Sequence, residues 1–247
     1  MREVNALVIS NEKIAKDVFR LVLESDLAKE LLPGHFVNIQ IEGHFLRRPI
    51  SISSIGENHF TIIYKVIGSG TKRLSEYQKG QFINVLGSLG RFFSIHEDLE
   101  RVLLIGGGVG VPPLYEVAKR YRQLDKEVVA VLGFRSSEDL FLKEEFRALG
   151  VKVFISTDDG SEGFHGNVID CIKENNIDID FVYCVGPKPM LKACQDNYEK
   201  GYISLEERMA CGMGACMGCV CKDKNTEGKY YRVCKEGPVF EIGKVII

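Results

Sequence analysis

The chain has 247 residues, 45% of them hydrophobic, and its 32 basic and 34 acidic residues leave a formal net charge of -2. That length allows about two domains with a sizeable core, and charge of both signs mixed along the chain offers no nucleic-acid footprint and no membrane-binding surface. No apolar run reaches membrane-spanning length, and Met1–Ser10 alternates polar and apolar residues where a signal peptide has an apolar core, so a cytoplasmic protein is expected.

Up to about Ile95 the sequence reads as short strands at Asn5–Ile9, Val18–Leu23, Phe36–Ile41, Ile50–Ser53, Phe60–Val66 and Phe82–Leu86. Turn residues such as Pro33-Gly34, Gly56 and Gly80 separate them, which predicts a small antiparallel barrel. Arg47-Arg48-Pro49-Ile50-Ser51 places guanidinium groups and a hydroxyl at the mouth of one strand, where Arg48 could pair with a phosphate and Ser51 could bond a ring. Further on, Ile63-Tyr64-Lys65 precedes Gly68-Ser69-Gly70-Thr71, and Thr71 is a candidate N-cap for a helix over Lys72–Gln78.

From Arg101 the rhythm changes to strands alternating with helices. The strands fall at Val102–Ile105, Val128–Leu132, Val153–Ser156, Phe181–Val185 and Tyr202–Leu205, with helical stretches at Pro112–Leu124, Phe141–Leu149, Val168–Asn175 and Met190–Tyr198. This pattern predicts a parallel sheet covered by helices. Its first strand runs into Gly106-Gly107-Gly108-Val109-Gly110-Val111-Pro112-Pro113, a glycine-rich turn before a helix, whose backbone amides suit a pyrophosphate. Val111 stands where the third glycine of GxGxxG would be, so the ordinary dinucleotide fingerprint is not met, and a plain tight turn with proline at the helix start remains an alternative.

After Glu206 periodicity stops, apart from strand-like pieces at Tyr230–Val233 and Val239–Ile242. Cys211, Cys216, Cys219 and Cys234 have the plant-type ferredoxin order of thiolates that holds a 2Fe–2S cluster. Gly212, Gly214 and Gly218 supply the positive φ values that a loop wrapped around a compact inorganic core needs. A structural zinc site also uses four thiolates, but usually as two short knuckles, and only Cys216–Cys219 forms one. Cys221 does not fit the two-residue gap, and Cys171, Cys184 and Cys194 read as packed thiols. The chain therefore divides at 1–97, 98–206 and 207–247 into barrel, nucleotide domain and cluster module.

Taken together, RPxS, the Gly-Thr helix start, GxxGRFF at Gly87–Phe93 and the glycine-rich turn resemble the ferredoxin-reductase superfamily. Glu206-Glu207-Arg208-Met209-Ala210-Cys211-Gly212 and Cys234-Lys235-Glu236-Gly237-Pro238-Val239-Phe240 narrow the resemblance to the electron-transfer subunits of type B dihydroorotate dehydrogenases. The resemblance implies that Arg48, Pro49, Ile50, Ser51, Ile63, Tyr64, Lys65, Gly70 and Thr71 contact FAD. It implies NAD as cosubstrate, for which Gly106, Gly107, Gly108 and Gly110 are the candidate contacts, and the four spaced cysteines as cluster ligands. It also implies a separate FMN-containing catalytic subunit that oxidises dihydroorotate, in a heterotetramer of two chains of each kind. One departure is Cys184-Val185-Gly186-Pro187, where many relatives have Cys-Gly-Pro. Strand side chains alternate, so Cys184 faces away from that cysteine's place and takes no role in hydride transfer.

The function expected is an electron relay: a flavin exchanges a hydride with the nicotinamide and passes single electrons through the cluster, with no side-chain acid or base required. Two alternatives stay open. One is the small subunit of a flavin-based NADPH:ferredoxin oxidoreductase, a group that tends to place aspartate where this chain has Cys211. The segment Arg135-Ser136-Ser137-Glu138-Asp139 leans to NAD, because a 2′-phosphate calls for several positive groups. The other alternative is a zinc-stapled binding protein without catalysis.

Overall fold

The computed structural model describes residues 1–247. Six antiparallel strands close into a barrel: β1 (Arg2–Ala15), β2 (Val18–Glu24), β3 (Phe36–Ile39), β4 (Arg48–Ile55), β5 (His59–Lys65) and β6 (Phe82–Leu89), in the order β1-β2-β5-β4-β3-β6. Alternate residues fill the interior, among them Leu21 and Leu23, Val37 and Ile39, Phe60, Ile62 and Tyr64, and Ile83 and Val85. The segment expected at Asn5–Ile9 is the middle of a longer strand. Register shifts at Val8/Ser10 and Lys13/Ala15 bend β1 so that it pairs with both β2 and β6, and its polar end hides this from periodicity.

A short helix, α1 (Ser69–Leu74), crosses from β5 to β6 and replaces the expected Lys72–Gln78. Thr71 caps it from inside the first turn. Its hydroxyl accepts from Ile67 N–H at 3.0 Å and Gly68 N–H at 3.3 Å, while Gly68 is the N-cap. The Ser75 hydroxyl donates back to Lys72 O at 2.7 Å at the other end of the helix.

The second unit is a parallel sheet of β7 (Arg101–Gly107), β8 (Glu127–Phe134), β9 (Lys152–Thr157), β10 (Phe164–His165), β11 (Phe181–Val185) and β12 (Lys200–Ser204). Its strands are ordered β10-β9-β8-β7-β11-β12. Val102 and Leu104 of β7 face α2 (Pro112–Gln123) and α3 (Lys143–Ala148), whereas Leu103 and Ile105 face α4 (Val168–Glu174) and α5 (Lys188–Asn197). The helix expected from Phe141 starts later because Leu142 takes a left-handed φ of 63°. Phe141 and Leu142 anchor the preceding loop in the core instead.

The last segment forms a hairpin, β13 (Val220–Lys222) and β14 (Tyr230–Arg232), and then β15 (Val239–Glu241). The expected Val239–Ile242 strand thus runs antiparallel along β12, with Ile203 opposite Phe240, and ties the cluster segment to the nucleotide sheet. Cys219, Cys221, Val233 and Cys234 share one core with Phe36, Leu86 and Leu89 of the barrel and with Val182 and Cys184 of β11. The cluster segment therefore fills the angle between the other two units.

Candidate redox site

Arg48–Ser51 open β4, and the Arg48 guanidinium lies across the start of α1. A Cβ on Gly70 would fall 2.6 Å from Arg48 Nε, so the glycine start of α1 and the Arg48 guanidinium lie in direct contact. Arg48 Nη1 also donates to Leu46 O. Pro49, Ile50 and Ser51 are half-buried on the same edge. Tyr64 points into the barrel, where its hydroxyl donates to Asn11 Oδ1 at 3.0 Å and its ring stacks on Phe19. Burial raises its phenol pKa. Ile63 packs in the core of the nucleotide domain, and Lys65 Nζ reaches Asp139 Oδ1 at 2.9 Å across the domain junction.

The glycine-rich turn lies against β5 and against the turn that follows β11. A Cβ on Gly107 would meet Met190 Sδ at 2.8 Å and Pro187 Cδ at 2.9 Å, and one on Gly110 would lie 2.4 Å from Val185 O. Gly108 has a φ of 52° in the single turn that leads into α2, and Gly106 packs on Val111. The connections from β7 and β11 diverge here, α2 leading away to β8 and α5 to β12. This is the topological switch point at the carboxyl ends of parallel strands, where open α/β sheets bind their ligands.

The four spaced cysteines gather as two pairs and do not converge three or four at a time on one point. Cys216 N–H points at Cys211 Sγ at 3.4 Å, and Cys234 N–H at Cys219 Sγ, also at 3.4 Å. Burial pushes the Cys211 thiol up, but donors from Cys216, Met213 and Ala215 outweigh it and bring its pKa down to about 6. Cys234 is pushed up to about 12 by burial and by its thiol neighbours Cys219 and Cys211. Two thiolate pairs with amides aimed at sulfur fit a binuclear iron–sulfur centre, whose two irons each take two thiolates. Gly212 and Gly214 have φ values of 65° and 82°, as that loop requires. Gly218 departs from the expectation: its φ is not positive, and an added Cβ would make only ordinary contact, 3.5 Å from Cys216 Sγ. Cys221 is buried on β13 with its pKa pushed up to about 11 by burial, and Cys184 packs beside Cys194 in the core.

Asn38 escaped the sequence reading because it sits inside the apolar run Phe36–Ile39. It is 1% exposed, its Nδ2 donates to Cys211 O at 3.4 Å, and its Oδ1 has no protein partner. Its cross-strand neighbour is Pro49, so the cluster loop rests on the strand beside the one that opens with Arg48. Arg232 braces the other side of the loop, donating to Gly214 O at 2.6 Å while paired with Glu236.

Residues 206–246 match the iron–sulfur cluster binding domain of dihydroorotate dehydrogenase B, and residues 104–196 match the oxidoreductase NAD-binding domain. A protein of Fusobacterium nucleatum named dihydroorotate dehydrogenase B (NAD(+)), electron transfer subunit, is 46% identical over 253 residues, 97% of each chain. A protein of the same name from Bacillus mycoides is 42% identical over the full length of both chains. Among solved structures, an NADH-dependent reduced ferredoxin-NADP oxidoreductase is 30% identical with a TM-score of 0.87, covering 98% of this chain and 90% of that one. The ferredoxin reductase in carbazole 1,9a-dioxygenase shares the fold at a TM-score of 0.70 and 21% identity, covering 79% of this chain and 64% of that one.

Proposed function

The chain belongs to the electron transfer subunits of dihydroorotate dehydrogenase B, and from that premise we propose which of its residues hold each redox group. It is an oxidoreductase subunit of pyrimidine biosynthesis that works with FAD, a 2Fe–2S cluster and NAD. When bound, these groups connect a two-electron hydride carrier to a one-electron centre through the flavin.

Arg48 and Ser51, with the main chain of Ile63–Lys65 and of Gly70-Thr71, cradle the flavin nucleotide. Gly106, Gly107, Gly108 and Gly110 let the nicotinamide dinucleotide approach the start of α2 without a side chain in the way. Cys211 and Cys216 hold one iron and Cys219 and Cys234 the other, with the amides of the loop directed at sulfur. The observation that carries this reading is the pairing of Asn38 with Pro49, which sets the cluster loop beside the flavin motif.

The name of the relatives implies a catalytic partner. The partner proposed here carries FMN, oxidises dihydroorotate, and assembles with this chain two to two. Met213, Met217 and Val220 are 42%, 62% and 37% exposed around the cluster and supply an adaptable apolar face for it. Co-expression with that subunit should yield a brown complex containing FMN, FAD, iron and sulfide that makes orotate and NADH from dihydroorotate and NAD. A protein that keeps its flavin and cluster but prefers NADPH and ferredoxin would instead favour the other reductase reading, which the 30% identical structure represents.

A further inference from the structure

Helix α2 meets the barrel chiefly at strand β4, where the contact includes a buried charged group that the redox chemistry does not use. Glu116 is 1% exposed. Its Oε2 accepts from Ile55 N–H at 2.9 Å and from Lys119 Nζ at 2.8 Å, and its Oε1 accepts from Arg120 Nε at 2.8 Å. Lys119 Nζ in turn donates to Ile55 O at 2.9 Å and Ser54 Oγ at 3.0 Å. The carboxylate and the ammonium thus take both backbone groups of Ile55, as a neighbouring strand would. Strand β3 pairs with β4 only from Arg48 to Ser51, so this end of β4 lies beyond it.

The two elements joined here each carry half of the redox crevice. Strand β4 starts with the flavin motif and ends at this contact, and α2 starts at the glycine-rich turn and makes the contact one helical turn later. The opposite face of α2, with Leu114, Val117, Ala118 and Tyr121, packs on the nucleotide sheet and would hold the helix whatever stood at position 116. A buried ion pair is weak evidence for stability, since apolar groups of similar size often replace one without loss, and its better-attested use is to fix register.

We propose that Glu116 and Lys119 are positioning residues that set the nicotinamide half of the crevice against the flavin half and so govern the rate of hydride transfer between them. The proposal rests on the function assigned above. Small misplacements of reacting groups cost up to about 100-fold in rate, whereas binding of the dinucleotide depends on the glycine turn and is left intact.

The test is single-turnover reduction of the flavin by NADH in the FAD- and cluster-loaded protein, with Glu116→Met/Lys119→Met, Glu116→Gln and Lys119→Met beside the parent chain. The double variant, which strips both backbone groups of Ile55 of these partners, should lower the thermal midpoint modestly and keep its half-saturating NADH concentration, yet lose roughly 10- to 100-fold in limiting rate and weaken the long-wavelength charge-transfer absorbance of the stacked rings. Glu116→Gln, which can still accept from Ile55 N–H, should recover most of the rate. Lys119→Met leaves Glu116 its bonds to Ile55 N–H and Arg120 Nε and should fall between in rate. Limiting rates and charge-transfer absorbance equal to the parent's in all variants that load flavin would overturn the proposal, as would a rate loss that tracks the thermal midpoint alone. A parent protein that loads flavin but is not reduced by NADH would instead overturn the function on which the proposal stands.

Discussion

Alanine at Gly212 probes how closely the barrel and the cluster loop are fitted. Gly212 has a φ of 65°, a region that costs an L-residue about 1–2 kcal/mol. The added Cβ would also fall 2.0 Å from Asn38 Nδ2. Asn38 is 1% exposed on a strand paired on both edges, so it has no room to withdraw. Overpacking of that kind costs about 1–3 kcal/mol, and Gly212→Ala should therefore lose about 2–5 kcal/mol in all. Asn38→Ala alone removes a 3.4 Å bond and an Oδ1 without a protein partner, worth about 1 kcal/mol or less. In the double variant the overlap is gone and only the backbone strain is left, so the two substitutions should couple favourably by about 1–3 kcal/mol. Thermal unfolding of the cofactor-loaded protein reads this out at about 2–4 °C per kcal/mol for a chain of this size, with iron and sulfide content measured in parallel. Simple additivity would refute the claim that Asn38 is what demands glycine at position 212.

Three further outcomes are expected. Gly110→Ala places a Cβ 2.4 Å from the main-chain Val185 O, which cannot give way, so it should cost about 1–3 kcal/mol and raise KM for NADH in steady-state assays; an unchanged KM would detach this turn from the nicotinamide site. His35 is buried with its Nδ1 accepting from Leu32 N–H, and burial lowers its pKa from 6.5 to about 4. Its folded pKa lies below its unfolded one, so its contribution is complete above about pH 6.5 and is lost as the pH falls toward about 4. The full shift is worth roughly 3 kcal/mol, and His35→Asn should flatten that part of a thermal-midpoint profile. Cys221→Ser should retain iron and sulfide while Cys219→Ser loses them, and equal loss from both would put Cys221 among the ligands.

Features carried by local periodicity or by fixed spacing were legible in the chain. The period-two runs marked the barrel, the alternation of strand and helix marked the parallel sheet, and the thiolate order marked the cluster loop. What escaped depends on partners distant in sequence. Val239–Glu241 reads as a strand locally, but only the folded chain shows that it borders β12. Asn38 and Glu116 have no local signature, because an amide in an apolar run and an acid on a helix are ordinary until the residues opposite them are known. Thr71 is recognisable as a capping residue, but it bonds from within the first turn because Gly68 holds the N-cap position, which local sequence does not distinguish. Tyr64 sits between Ile63, buried in the core of the nucleotide domain, and Lys65, which reaches Asp139, while its own ring turns into the barrel.

The order of the three proposed redox sites follows from the order of three strands. In the barrel β5, β4 and β3 are consecutive neighbours. The glycine-rich turn touches β5, the Arg48–Ser51 motif opens β4, and Asn38 on β3 holds the cluster loop. Strands in a sheet lie about 4.8 Å apart, so the span from first to last is only roughly 10 Å of sheet, with the flavin motif in the middle. A two-electron carrier and a one-electron centre need a flavin between them, and here the pairing of adjacent strands supplies that sequence without any linker. The Glu116–Lys119 contact at the far end of β4 then has a defined place in the design. The cluster loop meets the barrel through Asn38 and a shared core while its strand β15 pairs with β12 of the nucleotide sheet, and Glu116 and Lys119 fasten α2 of that same sheet to β4. Loosening that attachment should slow exchange with NAD while electron passage between flavin and cluster keeps its rate, a split that dye reduction by the cluster and flavin reduction by NADH can measure separately.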